Sequence, residues 1–454
     1  MRSGLLEDRR AALQAGSRTL GELVSSDEEA ASLLDSGSAF CGRAGYLDVL
    51  QEAYTAQEMR GVRREKRRRL AAIAAYDFNG DASLDAVIAA LSDLADASLS
   101  VTLKHVGAPD DMAVIGMGKL GGRELNYASD IDVMLVVGRD AVAGAKTAAR
   151  VVQELGGTAP EGQAYRVDTN LRPEGRNGPL LRSLDAYVEY YQRWAKPWEY
   201  QALIKARCAA GSEAVGAALV DAVRPLVYPE RVGDDRISEI RRMKERLESH
   251  AVRSARRAKS SELNDVKLGP GGIRDIEFAV QLLQLVHGGT DTSVRGAATL
   301  PALSALVQGG YVAEEDGAAL QVAYRWLRTV EHRLQLWQER QVHHLPVDDE
   351  GRARLARSLG FKDSPGTGAA ARFEMAHAGV LSDTRARFDK LFYRPMIESL
   401  RDTATSRMSE VALKDRLRVL GFRDVERAVK TLHELVAGTS RRRIACLRWS
   451  PAPE

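Results

Sequence analysis

Asp130-Ile131-Asp132 sets two carboxylates two residues apart, and Asp168 offers a third further along the chain. In a strand, residues i and i+2 point to one face with Cα atoms ~6.6 Å apart. Two carboxylates held that way repel unless a cation lies between them. A pair of Mg²⁺ ions roughly 3.5–4 Å apart would satisfy them and would clamp the entering and leaving oxygens of a phosphoryl transfer. Mg²⁺ suits an all-oxygen site that leaves room for water and phosphate. Asp168 falls on the polar side of a second alternating run. Tyr165, Val167, Thr169 and Leu171 form one face of that run; Arg166, Asp168, Asn170 and Arg172 form the other. If the two strands pair, Asp168 becomes the third oxygen ligand, so Asp130, Asp132 and Asp168 are read as both catalytic and metal-binding. A polar strand edge would supply the same acids but would not explain the glycine-rich turn beside them.

That turn follows the apolar run Ala113-Val114-Ile115. Gly116-Met117-Gly118-Lys119-Leu120-Gly121 fits GxGxxG literally, which raises a dinucleotide-binding unit. Only the residues between Gly121 and Ser129 are free to form a helix, too few for the crossover of a βαβ unit of ~30 residues. The next strand also opens on acids where a buried parallel strand should be apolar. Leu120 after Lys119 excludes a Walker phosphate loop. The better reading is strand, tight turn, short helix, then Asp-x-Asp on a strand. Gly121-Gly122 would let the backbone approach a triphosphate, and Lys119 would add a point charge or simply be solvated. Gly118, Lys119, Gly121, Gly122 and Ser129 are therefore candidate nucleotide-binding residues. Arg172 and Arg176 join them because guanidinium forks match phosphate oxygens, the alternative being surface ion pairs.

Around this β-containing part the chain reads as helical. Residues 1–100 carry helical patterns and include the basic run Arg63–Arg69, taken as a solvated helix face. Ile237, Ile240, Met243 and Leu247 recur at helical spacing. Ile273–His287 is apolar nearly all round and reads as a buried central helix; residues 313–342 read as one long helix. Asp275-Ile276-Glu277 repeats the Asp-x-acid spacing but on a helix, where i and i+2 diverge by about 200°. It cannot form the same metal pair, and its acids suit a helix N-terminus. Charge is nearly balanced at +3, which gives no reason to expect nucleic acid, and 6% aromatics offer no stacking platform. Cys41, Cys208 and Cys446 show no paired or zinc spacing. The charged start lacks a signal-peptide core, and no run of ~18 apolar residues suggests a membrane span. A cytoplasmic protein without membrane contact is expected.

Several strings resemble the signatures of bacterial glutamine synthetase adenylyltransferase/adenylyl-removing enzymes. They are Gly116–Asp132 as a whole, Leu171-Arg172-Pro173-Glu174-Gly175-Arg176-Asn177-Gly178-Pro179, Tyr190-Tyr191-Gln192-Arg193-Trp194, and Lys267–Phe278. The resemblance runs across most of residues 40–400. It implies an α+β fold: a polymerase-β-like nucleotidyltransferase domain followed by an all-α helical bundle related to that of nitrogen-regulatory uridylyltransferases. The implied division is an N-terminal helical part (1–100), a catalytic domain (101–215), a helical domain (216–400) and the start of an inter-half linker with an irregular tail (401–454). The implied reaction moves AMP on a tyrosine of glutamine synthetase, with ATP or ADP and phosphate as small substrates and a PII-type signalling protein as a further partner. Family metal carboxylates map onto Asp130, Asp132 and Asp168.

Family members carry two such halves, one adding AMP and one removing it by phosphorolysis; this chain carries one. Glu124-Leu125-Asn126 resembles the removing half. The continuation through Lys414-Asp415-Arg416-Leu417 and Leu420-Gly421-Phe422 resembles the family's connection from the first half into the second, and the first half is the removing one. The competing readings are a non-catalytic module that binds glutamine synthetase or a nitrogen signalling protein, and a dinucleotide-dependent enzyme.

Overall fold

The computed structural model describes residues 2–35, 37–230, 239–240, 243–244, 265–405, 426 and 429–430. Five helices come first: α1 (Arg2–Gly16), α2 (Arg18–Ser26), α3 (Glu28–Leu33), α4 (Gly42–Asn79) and α5 (Leu84–His105). Helix α4 is kinked where Gln57 and Glu58 leave helical geometry. Ser83 starts α5 by accepting the Ala86 amide at 3.2 Å, an N-cap that satisfies one of the free donors of the first turn. α5 is long and apolar enough to cross a membrane by length and composition, contrary to the expectation of no such segment. Here its apolar sides are buried against α4 and the sheet, and it serves as a core helix.

The sheet follows: β1 (Met112–Gly116), the one-turn helix α6 (Gly118–Gly121), β2 (Ile131–Val137), α7 (Ala141–Gly156), β3 (Val167–Asp168), β4 (Leu181–Ser183), α8 (Leu184–Arg193), α9 (Pro197–Leu203), β5 (Arg207–Gly211) and α10 (Glu213–Val227). Its order is β3-β2-β1-β5, with β4 on β2. β1 runs antiparallel to β2 and β5, while β3 and β4 run parallel to β2 at its beginning and end. The antiparallel β1–β2 pair rules out the dinucleotide reading of Gly116–Gly121, because a βαβ unit needs parallel strands. The strand expected from Tyr165 to Leu171 is only two residues long. Asp168 Oδ1 accepts the Asn170 amide at 2.7 Å, and the Arg172 amide turns back to the Thr169 carbonyl at 3.2 Å. This Asx-type turn ends the strand.

β2 is buried on both faces and divides two cores. Ile131, Val133, Leu135 and Val137 pack toward α4, α5 and α7. Met134 and Val136 pack toward α8 and the later helices. Those are α11 (Ile273–His287), α12 (Thr299–Gln308), α13 (Glu314–Leu336), α14 (Asp349–Ser358) and α15 (Ala369–Thr405). The predicted central helix has the observed bounds of α11, and the predicted 313–342 helix ends earlier, at Leu336. Residue 216, the expected start of the helical domain, lies inside α10, which packs on β1 and β5. Of the 237–247 helical spacing, Ile237 and Leu247 lie outside the described residues, as do the expected linker motifs and tail after Thr405.

The basic run is not a solvated face. Arg69 is buried and bonds Glu65 at 2.7 Å; Arg68 bonds Asp27 at 2.8 Å; Arg67 reaches Glu339 at 2.8 Å. Arg67 and Arg68 join α4 to segments remote in sequence, while Arg69–Glu65 is a pair one turn apart within α4.

A second tie holds the glycine turn. Asp96 of α5 has no solvent exposure and accepts both terminal nitrogens of Arg207 at 2.8 and 2.9 Å. Arg207 also donates to the carbonyls of Leu120 and Gly121 at 2.9 and 3.1 Å. Burial outweighs the arginine's attraction, and the Asp96 carboxyl stays above its usual range. Asp96→Ala is expected to cost about 3 kcal/mol, near the low end for breaking a buried pair, because Arg207 keeps its carbonyl acceptors. Urea denaturation should show the loss as a lower midpoint at unchanged slope.

Candidate active site

The turn that follows β1 is shaped by close approach. Gly118 adopts φ +51°, and a Cβ there would lie 2.5 Å from Asp132 Oδ2. The left-handed conformation and the missing side chain are both needed for the backbone to pass over the carboxylate. Gly121 has another task than the one read from sequence. A Cβ on it would meet the Lys205 carbonyl at 1.9 Å, so it seats the turn against the chain entering β5. A Cβ on Gly122 would lie 2.9 Å from Glu124 Oε2. The Met117 amide bonds the Asp132 carbonyl at 2.8 Å and fixes the turn on β2.

Asp132 and Asp168 are register partners across the parallel β2–β3 ladder, which brings together two of the three predicted carboxylates. Asp132 lies on the same face of β2 as Met134 and Val136, and looks toward the later helices. Its carboxyl is pushed up to about 6, first by burial and then by the negative charge of Asp168; Lys119 and Lys267 pull the other way, and Asp130 adds a weaker repulsion. Asp130 precedes the strand and is held by the Arg166 guanidinium, which also donates to the Ala128 carbonyl at 2.8 Å. Among the described residues, no three carboxylate, imidazole or thiol side chains stand together as a ready-made metal cluster. The donor set nevertheless fits a hard divalent cation at Asp132 and Asp168. Burial and the Asp168 charge both work against the ionised Asp132, and a cation between the two carboxylates would offset both effects. Asp130 completes the set only after leaving Arg166.

The lysines are set by a buried charge network. Lys119 is not a solvated surface lysine: its side chain is 11% exposed and its Nζ lies 3.6 Å from Glu331, which is fully buried. Lys267 lies in the loop before α11. Burial pushes its ammonium down to about 8, Lys119 and Arg274 repel it, and Glu331 and Glu277 act in the opposite sense. Burial alone would raise the Glu331 carboxyl, but Lys119, His343, Arg328 and Lys267 hold it well below its usual range. Lys205 bonds Glu124 at 2.6 Å and lies 3.8 Å from Glu277. Arg328 of α13 donates to the Glu124 carbonyl and to Asn126 Oδ1, both at 2.6 Å. The helical segment thus grips the Glu124–Asn126 stretch that links the glycine turn to the aspartates.

Lys267, Glu277 and Glu331 are the residues that sequence reading missed. Lys267 stands at the head of its own glycine-rich string, which was the available signal. Glu277 was set aside as a helix-start acid. That account holds for Asp275, which accepts the Gly271 amide at 2.8 Å, but Glu277 diverges from it toward Lys205.

Arg172 is corrected from phosphate contact to loop staple. It is buried, and it donates to the carbonyls of Thr169, Gly178, Pro179 and Arg176 and to the Thr169 hydroxyl. Its donors are occupied within the 169–179 loop that carries the chain away from Asp168. Arg176 remains exposed and makes a 3.2 Å bond to Asn170 Oδ1. Ser129 donates its hydroxyl to the Asp130 carbonyl at 2.9 Å.

The raised Asp132 pKa gives a pH prediction. Between the ordinary aspartate range and about pH 6 the folded state keeps a proton that the unfolded chain has lost, so this group lowers stability as pH rises through that window. Asp132→Asn should therefore be more stable than the parent at pH 7–8 by about 1–2 kcal/mol, a shift discounted for partial exposure. The difference should vanish near pH 4. Paired thermal melts across pH 4–8 measure it.

Comparison with known proteins shows how far this arrangement is shared. Residues 13–222 match the family model described as glutamate-ammonia ligase adenylyltransferase. Residues 241–392 match a second model, described as GlnD PII-uridylyltransferase. Curated relatives named bifunctional glutamine synthetase adenylyltransferase/adenylyl-removing enzyme are similar over most of the chain. The one from Streptomyces coelicolor is 43% identical, over 83% of this chain and 39% of its own length. That from Leifsonia xyli is 38% identical, over 94% of this chain and 44% of its own length. That from Mycolicibacterium smegmatis is 41% identical, over 83% and 39%. The chain therefore spans about two fifths of the length of the curated relatives it matches.

Proposed function

The chain belongs to the glutamate-ammonia ligase adenylyltransferase family, and on that premise we propose that its polymerase-β-like site moves AMP on a tyrosine of glutamine synthetase. The observation that carries this reading is the Asp132–Asp168 pair under the Gly118 backbone, with Lys119 and Lys267 facing it. A carboxylate pair whose Asp132 is held up by burial and like charge, beside two lysines, suits one kind of ligand: a cation together with a phosphate chain.

Asp132 and Asp168, with Asp130 once released, would hold Mg²⁺. When bound, Mg²⁺ supplies polarisation of the phosphoryl oxygens and neutralisation of charge at the leaving oxygen. The chain's own residues do the positioning, which carries most of the catalysis in phosphoryl transfer. Lys119 and Lys267 draw the phosphate oxygens toward the aspartates, and Gly118 keeps the approach open. The buried Glu331 and the half-buried Glu277 hold counter-charge behind these lysines without competing for the cleft. In the removing direction, inorganic phosphate attacks the AMP phosphorus, the bond to the tyrosine oxygen breaks, and ADP leaves. In the adding direction, the tyrosine oxygen attacks the α-phosphorus of ATP and pyrophosphate leaves.

We assign the removing direction, on the resemblance of Glu124-Leu125-Asn126 and of the segment after residue 405. Asn126 itself is buried under Arg328 and His332, so it acts on the site through packing. The second family match supports a PII-type signalling protein as partner of the helical segment; a cytoplasmic setting is part of the same proposal.

The expected result is phosphate-dependent release of ADP from AMP-modified glutamine synthetase, reduced on the order of 10³-fold in Asp132→Asn. Label incorporation from ATP into unmodified glutamine synthetase, without phosphate-dependent release, would reverse the direction. Absence of both would overturn the reading.

A further inference from the structure

A cavity of about 410 Å³ opens beside Ser129 and Arg166. Its charged lining comes from Arg63, Lys66 and Arg67 of α4, from Arg166, and from two carboxylates, Glu161 and Glu339. Both carboxylates are already engaged: Glu161 bonds Arg60 at 2.5 Å and Glu339 bonds Arg67 at 2.8 Å. Among the described residues Lys66 has no hydrogen-bond or ion-pair partner; its ammonium sits 4.7 Å from the centre of the Tyr165 ring. The Arg63 Nε is buried without an acceptor, while its other end donates to the Glu154 carbonyl at 2.8 Å. Burial pushes the Lys66 ammonium down to about 8, Arg67 and Arg166 push the same way, and Glu339 opposes them. The cavity has donors and positive charge in excess of what its own chain satisfies, which is the condition an anion relieves.

Arg166 gives the cavity its link to the aspartates. It lines the cavity and at the same time occupies Asp130. Its side chain is 44% exposed, so it can turn between the two without disturbing the core. We propose that this cavity binds a phosphate-class oxyanion through Lys66, Arg63 and Arg166, and that binding draws Arg166 off Asp130 and frees that carboxylate for a cation. The binding half stands on the cavity alone. The coupling half rests on the reading of Asp130 as a cation ligand. The oxyanion is either inorganic phosphate or the phosphate arm of a nucleotide, and both present the same chemistry to the cavity.

Calorimetric titration of inorganic phosphate into the full chain tests both halves. In EDTA, saturable binding is expected, weakened at least tenfold in Lys66→Met and preserved in Lys66→Arg, with circular dichroism showing both variants folded. Arg166→Gln, on an exposed side chain, should weaken binding as well. No binding, or binding unaffected by Lys66→Met and Arg166→Gln, overturns the site. Competition by ADP assigns the site to the nucleotide arm, and its absence assigns it to free phosphate. Saturating Mg²⁺ should then tighten phosphate binding several-fold in the parent but not in Arg166→Gln, because linkage is reciprocal. Lys66-dependent binding that ignores Mg²⁺ overturns the coupling and leaves the cavity standing. Asp132→Asn should bind phosphate normally in EDTA, which separates failure of this site from failure of the proposed function.

Discussion

Two carboxylates that face each other across a strand pair, largely out of water, set the terms for this part of the molecule. Burial and the charge of Asp168 both oppose ionisation of Asp132, which therefore calls for cationic neighbours. The fold meets that need in part, by bringing Lys119 from the turn and Lys267 from the loop before α11 within electrostatic reach of Asp132. It does not meet it fully, since the Asp132 carboxyl still titrates near 6. An electrostatic deficit kept in a cleft is a common mark of a site that completes itself with a ligand.

The lysines raise the same problem in reverse, and the later helices answer it. Glu277 on α11 and Glu331 on α13 lie behind Lys267 and Lys119, and Arg328 of α13 ties down the segment between the glycines and the aspartates. Charges this deeply buried are tolerated only in well-bonded company. The network therefore ties the sheet to the helical segment.

What could be read in the sequence was local. Asp132 on a strand, the apolar strand and glycine turn before it, and the bounds of α11 follow from periods of two and 3.6 and from glycine placement; the short helix expected after Gly121 lies instead within the turn, at Gly118–Gly121, and Asp130 precedes its strand. The exclusion of a dinucleotide site, from the short room for a helix and the acids opening the next strand, agrees with the antiparallel β1–β2 pair. What could not be read depended on contacts between distant segments. Arg172 looks like a phosphate ligand until the 169–179 loop folds around it. The alternation from Tyr165 to Leu171 looks like a full strand until the Asp168 side chain caps it after two residues. The basic run looks solvated because the carboxylates that pair with it, Asp27, Glu29 and Glu339, come from other elements. Glu331 sits within an ordinary helical pattern, and nothing near it in sequence marks it as the counter-charge to Lys119.

The central claim is that Asp132 and Asp168 form a site for a cation and a phosphate chain together. Equilibrium binding of a non-hydrolysable ATP analogue, measured in Mg²⁺ and again in EDTA, tests it most directly. Neither the aspartates nor the triphosphate should tolerate the other without the ion between them. The account predicts binding at least tenfold tighter in Mg²⁺, with the advantage lost in Asp168→Asn. Equal affinity in the two conditions, or an unchanged Mg²⁺ effect in that variant, would contradict it.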